Sequence, residues 1–123
     1  MENQWSLLKE VRETNNNHIE ALADIPSDSP WFSGHFPGEP ILPGIALIHL
    51  VRQAIEQVEL EKGNPLHLHS LKRVRFMQPV RPGDTLSVRI SAEIGTEDML
   101  FSFKVLCKES IVSSGMMAAK KIK

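Results

Sequence analysis

Residues 34–53 read GHFPGEPILPGIALIHLVRQ, and this stretch joins the two patterns that decide the fold. Its first half is a loop rich in glycine and proline, and its second half is an apolar run that starts after the Pro-Gly pair at 43–44. Apolar residues continue on most sides of a helical period to about Leu60, and the sequence KGNP at 62–65 then ends the helix. A helix that is apolar on most sides is predicted to lie buried at the centre of the fold.

Alternation of apolar and polar residues predicts strands before and after this helix. Residues 18–25 alternate cleanly, and residues 5–13 are predicted to be their hairpin partner, although a short helix fits that segment almost as well. Three or four more strands are predicted over residues 66–77, 86–93, 99–108 and 111–122, the last broken by Gly115. The sequence therefore predicts an α+β fold in which a curved antiparallel sheet of five or six strands wraps one long central helix.

Length and composition predict one domain over residues 1–123. The formal net charge of −1 gives no reason to expect binding to nucleic acid or to an anionic membrane. The first ten residues lack the apolar segment of a signal peptide, and no run approaches the roughly 18 apolar residues of a membrane span. Because Cys107 is the single cysteine, an intrachain disulfide is excluded and a cytoplasmic location is expected.

Three segments together resemble one family of enzymes. The stretch GHFPGEPILPG at 34–44, followed by an apolar helix, closely resembles the active-site segment of β-hydroxyacyl-(acyl carrier protein) dehydratases of fatty-acid synthesis. The sequences RFMQPVRPGD at 75–84 and SGMMA at 114–118 resemble two further segments of that family. The resemblance implies a hot-dog fold, a homodimer or a trimer of dimers, and an active site at the dimer interface. We expect neither a cofactor nor a metal.

The resemblance also implies roles for individual residues. His35 matches the family's catalytic histidine, and Gly44 matches the glycine whose backbone N–H receives the thioester carbonyl. His49 stands where the working enzymes carry a catalytic Glu or Asp, which is a departure from the family pattern. The residues expected to contact the substrate are Phe36, Pro43 and Gln53.

The chemistry of dehydration explains why these residue types matter. Eliminating water from a 3-hydroxyacyl thioester needs a base for the C2 proton and an acid for the departing C3 hydroxyl. The helix N-terminus at Gly44 offers free N–H donors to the developing oxyanion, and His35 is expected to be the base. Imidazole can donate a proton near neutral pH, so His49 can replace the missing acid. Alternatively, His49 marks a lost activity, and both interpretations stay open.

A polar stripe follows one face of the predicted helix, formed by Ala46, His49, Gln53 and Glu56 at helical spacing. In one interpretation the stripe lines the acyl pocket and Gln53 hydrogen-bonds His49. In the other it is a polar edge at the interface between protomers.

Other residues give weaker signals. His67 and His69 share a predicted strand face but lack a third metal ligand nearby in the sequence. Cys107 continues an apolar alternation and is expected to be a core thiol. A basic cluster suits docking of an acidic acyl carrier protein, and a solvated strand face explains it equally well; its members are Lys72, Arg73, Arg75 and Arg81.

Three functions are therefore compatible with the sequence. The first is dehydration of 3-hydroxyacyl groups carried on acyl carrier protein or coenzyme A. The second is an acyl thioesterase, but residues 44–52 contain no carboxylate, and Glu39 lies in the preceding loop. The third is a non-catalytic subunit that binds acyl chains or pairs with an active partner.

Overall fold

The computed structural model describes residues 5–15, 17–32, 40–95 and 98–122. Within these ranges the chain forms one α-helix, one short 3₁₀ helix at Pro30–Phe32 and six strands. In chain order these elements are β1 (Leu8–Asn15), β2 (His18–Asp24), α1 (Gly44–Glu61), β3 (Leu66–Phe76), β4 (Thr85–Ile94), β5 (Asp98–Cys107) and β6 (Ser110–Lys121). The strands form one antiparallel sheet in the order β1-β2-β4-β5-β6-β3. This arrangement confirms the predicted α+β architecture of a hot-dog fold.

Helix α1 is the central element, as its composition predicts. Leu50, Val51 and Ile55 are fully buried against the inner face of the sheet. The helix begins after Pro43, which is extended and provides no side-chain cap. It ends where Gly63 takes a positive φ of 78°, a conformation that glycine adopts without strain. Of the helices in the described part of the chain, none is long and apolar enough to cross a membrane.

The N-terminal segment forms the predicted strand and not the alternative short helix. Strand β1 pairs with β2 in antiparallel register, from Leu8 opposite Ala23 to Asn15 opposite His18. Asn17, in the connecting turn, has a φ of 70°. Asparagine tolerates this left-handed conformation because its side chain can hydrogen-bond locally, so the asparagine run at residues 15–17 suits the turn.

The predicted break at Gly115 is wrong, because β6 continues through that residue. Opposite it, β3 has a bulge: Lys72 pairs with Met116 and Arg75 pairs with Ser114, leaving two β3 residues to face one glycine. A Cβ at Gly115 would lie 3.0 Å from the Cα of Val74. Gly115 thus permits the close approach of the bulge and does not interrupt the strand.

Candidate functional site

Gly44 is the first residue of α1 and lines an apolar cleft. Among the described residues, the backbone N–H of Gly44 has no hydrogen-bond partner, as expected for the first residue of an uncapped helix. The cleft beside it has a volume of about 580 Å³ and is lined by residues 41–45, Leu47 and residues 76–80. We call this space the Gly44 cleft. It places an unpaired N–H donor beside walls suited to an apolar chain.

The shape of the Gly44 cleft depends on the ring of Phe76. A Cβ added to Gly44 would lie 2.7 Å from Cζ of Phe76, so the ring packs directly against the glycine backbone. Two backbone hydrogen bonds fix the walls: the N–H of Leu42 donates to Val80 O at 2.8 Å, and that of Met77 donates to Val112 O at 2.8 Å. The loop before α1 and the segment after β3 are therefore joined around the cleft.

His49 lies one and a half turns further along α1, in an aromatic environment. Its ring centroid is 5.8 Å from the ring of Trp31, and Trp31 meets Trp5 edge-on at 4.8 Å. Nε2 of His49 is buried and has no hydrogen-bond partner among the described residues. We call Trp5, Trp31 and His49 the Trp31 cluster. A buried polar atom without a partner is uncommon in folded proteins and calls for an explanation.

The remainder of the polar stripe faces β1 and the segment before it. Gln53 exchanges hydrogen bonds with Ser6, at 3.3 Å to Oε1 and 3.2 Å from Nε2, and in the described residues no hydrogen bond joins it to His49. Glu56 forms an ion pair with Arg52 at 3.0 Å. A mainly polar groove of about 310 Å³ separates this part of α1 from β1. Gln53 therefore secures the N-terminal segment against the helix, and its predicted contact with substrate stays a prediction.

Within one chain, the Gly44 cleft and the Trp31 cluster face different ways. Five residues along an α-helix rotate the side-chain direction by about 140°. Gly44 accordingly faces Phe76 on the edge strand β3, whereas His49 faces Trp31, whose indole is bonded to the segment before β1. The predicted residues His35, Phe36 and Glu39 lie outside the described residues, so their roles stay predictions.

The weaker candidates have ordinary structural roles. His69 faces Asp98, with Nε2 3.8 Å from Oδ1, and no group of three potential metal ligands occurs in the part of the chain that the structure describes. Cys107 is half-buried against the core, in agreement with a packing role. Lys72, Arg73 and Arg75 are exposed on β3.

The buried carboxylate of Glu59 is a feature that sequence reasoning missed. Its side chain is only 4% exposed, and it faces Lys62 at 3.6 Å. The ammonium of Lys62 also donates a hydrogen bond to Glu13 at 2.9 Å, and this hydrogen bond raises the pKa of Lys62 above its ordinary value of 10.5. The sequence contains a signal for this burial, because Glu59 lies one helical turn after Ile55 and therefore on the same buried face of α1.

Comparison with known proteins identifies the family. Residues 10–116 match the ApeI-like family, described as ApeI dehydratase. The match covers most of the chain, which therefore belongs to the ApeI-like family. This membership confirms the predicted resemblance to hot-dog dehydratases.

Individual relatives agree with this assignment. The 3-hydroxyacyl-[acyl-carrier-protein] dehydratase FabZ of Syntrophobacter fumaroxidans is 36% identical over 89 residues, which are 68% of this chain and 60% of that protein. FabZ of Thermus thermophilus is 34% identical over 85 residues, 65% of this chain and 60% of its own length. The chain thus spans about 60% of the length of these curated relatives.

A solved structure shares the fold over nearly the whole chain. The dehydratase heterocomplex ApeI:P from Xenorhabdus doucetiae superposes with a TM-score of 0.75 at 23% identity, covering 94% of this chain and 97% of that chain. At this level of identity the likeness supports the shared hot-dog fold.

Proposed function

We propose that this protein is a hydro-lyase that reversibly eliminates water from 3-hydroxyacyl thioesters to give trans-2-enoyl thioesters. The observation that carries the proposal is the unpaired N–H of Gly44 at the start of α1, beside an apolar cleft of about 580 Å³. A helix N-terminus stabilises negative charge on an oxygen, and the apolar walls suit an acyl chain. Membership of the ApeI-like family and the names of the FabZ relatives support the same chemistry.

In the proposed mechanism the thioester carbonyl accepts a hydrogen bond from the N–H of Gly44. His35 removes a proton from C2, and the electron pair left behind forms an enolate whose oxygen is stabilised at the helix N-terminus. The C3–O bond then breaks as the enolate collapses to the C2–C3 double bond. His49, in its protonated form, donates a proton to the departing hydroxyl through Nε2, so that water leaves.

We propose further that the working unit is a homodimer, alone or as part of a trimer of dimers. Because Gly44 and His49 point in different directions within one chain, the proposed site takes Gly44 from one copy and His49 from the other. Apolar side chains exposed around the β3 edge support such pairing, with Ile45 61% and Phe76 52% exposed.

A complementation experiment tests this arrangement. His35→Gln and His49→Gln variants are each expected to keep only a small, measurable residue of the wild-type activity. Unfolding and refolding an equal mixture should restore about a quarter of the wild-type activity, because half the dimers are mixed and each mixed dimer has one intact site. Refolded single variants are the controls. Absence of recovery, with mixed dimers demonstrated by differential tagging, would place both histidines of a site in one chain.

The carrier is proposed to be acyl carrier protein, as in the names of the FabZ relatives, with coenzyme A as the alternative. The exposed cations Lys72 and Arg75 lie on β3, the strand that ends at Phe76 beside the Gly44 cleft. They can attract an acidic carrier protein. Activity on carrier-protein thioesters should therefore fall with added salt and in a Lys72→Glu variant, whereas activity on coenzyme A thioesters should change less.

The direct test is turnover by the purified protein. Interconversion of 3-hydroxyacyl and trans-2-enoyl thioesters is followed from about pH 5 to about pH 9, and its absence throughout would defeat the proposal. The His49→Glu variant then separates two cases. Loss of activity would show that His49 itself works as the acid, whereas a gain would show that the site has decayed.

A second candidate function is that of a non-catalytic subunit. The presence of His49 in the position of a catalytic carboxylate favours it. Such a subunit would bind acyl thioester, or pair with an active hot-dog subunit, without turnover. An inactive wild type that His49→Glu activates would support this alternative.

A further inference from the structure

Trp31 is held firmly from several directions. Its indole Nε1–H donates to the backbone oxygen of Trp5 at 2.6 Å, and the ring of Trp5 packs edge-on against it. Its backbone N–H donates to Oγ of Ser29 at 3.3 Å, and Ser29 is itself buried. An indole restrained at both its backbone and its ring nitrogen has little freedom to reorient.

The restrained ring of Trp31 is a neighbour of the ring of His49. The two planes are inclined by 52° with centroids 5.8 Å apart. Within the described part of the chain, no hydrogen bond to Nε2 orients the imidazole. The ring contact with Trp31 is therefore an interaction that can restrict rotation of His49 about its side-chain bonds.

We propose that Trp31 is a positioning residue for His49. The indole, anchored on the Trp5 carbonyl, holds the imidazole in the orientation that the proposed proton transfer from Nε2 requires. This inference rests on the proposed function, in which Nε2 donates the proton. It also gives the segment before β1 a role, because the backbone oxygen of Trp5 anchors the indole of Trp31, which acts through His49.

The first experiment is a double-mutant cycle. Trp31→Leu should lower kcat about 10- to 100-fold while KM changes less than about threefold, since a displaced proton donor slows the chemical step and not binding. Trp31→Phe keeps an aromatic face but loses the hydrogen bond to Trp5, so a smaller loss, about threefold to tenfold, is expected. In a His49→Gln background, Trp31→Leu should change the residual kcat less than about twofold.

A purely structural role for Trp31 predicts a different pattern. The loss of activity would then persist in the His49→Gln background, or would track a lowered melting temperature in all variants, and either result would overturn the inference. If Trp31→Leu does not fold, the same cycle with Trp31→Phe decides the question.

The second experiment does not depend on activity. The C–H signals of the His49 ring, assigned by their absence in His49→Gln, should be displaced by the indole ring current in the wild type. In Trp31→Leu they should return toward the values of an unrestrained histidine. A wild type with displaced signals but no turnover would overturn the proposed function. An active wild type in which Trp31→Leu leaves both these signals and kcat unchanged would overturn the role of Trp31 alone.

Discussion

The Gly44 cleft and the Trp31 cluster both use the first turns of α1, but they are built on different principles. The cleft is made of backbone and shape: a glycine, an N–H that pairs with none of the described residues, and apolar walls joined by backbone hydrogen bonds. The cluster is made of side chains: an anchored indole and an imidazole with one buried nitrogen unpaired. The cleft presents a backbone donor and apolar walls, whereas the cluster presents a titratable side chain. Within one chain the Gly44 cleft and the Trp31 cluster face in different directions, which is why the proposed site takes one from each copy.

The largest expected effect comes from filling the space at Gly44. In Gly44→Ala the new methyl group would meet Cζ of Phe76 at 2.7 Å, so the exposed ring must swing into the cleft. We expect kcat/KM to fall about 100-fold, because the thioester can no longer approach the helix N-terminus. The free energy of unfolding should change by less than about 1 kcal/mol, since the ring can move. Steady-state kinetics and thermal melting measure the two effects.

Gly63→Ala is the matched control for this prediction. A Cβ at Gly63 meets nothing within 4 Å, but φ is +78°, so the substitution should cost about 1 kcal/mol of stability and leave kcat/KM unchanged. If both glycine variants lost activity equally, the Gly44 cleft would not be the substrate site.

The second prediction perturbs β6, the strand that pairs with β3 and so positions Phe76. In Gly115→Ala the methyl group would lie 2.9 Å from Cζ of Phe103 and 3.0 Å from the backbone of Val74. The backbone contact cannot be relieved by a rotamer change, so we expect a loss of about 1–3 kcal/mol in the free energy of unfolding, measured by denaturant titration. The bulge in β3 should shift and disturb Phe76. Ring-current shifts at His49 should stay unchanged, and a change there would show that the two regions are not independent.

The sequence is informative about the elements and less so about contacts between them. Helix α1 and the strands follow from local periodicity, which a single sequence displays directly. Gly115 was misread because a glycine within a strand pattern resembles a break, and only the pairing with β3 shows the bulge that it accommodates. The contact between Trp31 and His49 joins residues 18 positions apart through tertiary packing, so no local pattern could predict it.

A smaller effect is expected from the hydrogen bonds between Ser6 and Gln53. These hydrogen bonds tie the segment that carries Trp5 to α1, so they support the Trp31 cluster and not the Gly44 cleft. Ser6→Ala should lower the free energy of unfolding by about 1 kcal/mol and kcat about twofold to threefold, with KM unchanged. Chemical denaturation and steady-state kinetics provide the readouts. A loss of binding with kcat intact would instead connect Ser6 and Gln53 to the substrate.

The smallest effect concerns the other end of α1, where Lys62 bridges Glu13 on β1 and Glu59 on the helix. The hydrogen bond to Glu13 raises the pKa of Lys62 above 10.5 in the folded protein, so its contribution to stability is complete below pH 10.5 and is lost as pH rises through the raised value. The side chain is 38% exposed, and solvent screening keeps the contribution small. Denaturant midpoints should therefore fall between about pH 10 and about pH 12 in the wild type and less in Lys62→Met.

The chain contains no tyrosine, whose titration would otherwise overlap this range. Lys9→Met is the matched control, because the ion pair of Lys9 with Asp24 is more exposed, at 60% and 52%. As pH rises, the Lys9→Met variant should lose as much stability as the wild type does. If Lys62→Met and the wild type declined equally above pH 10.5, the bridge between β1 and α1 would contribute nothing measurable. In that case the Ser6–Gln53 hydrogen bonds would be the polar contacts that hold the N-terminal strand, and with it Trp5 and Trp31, against the helix.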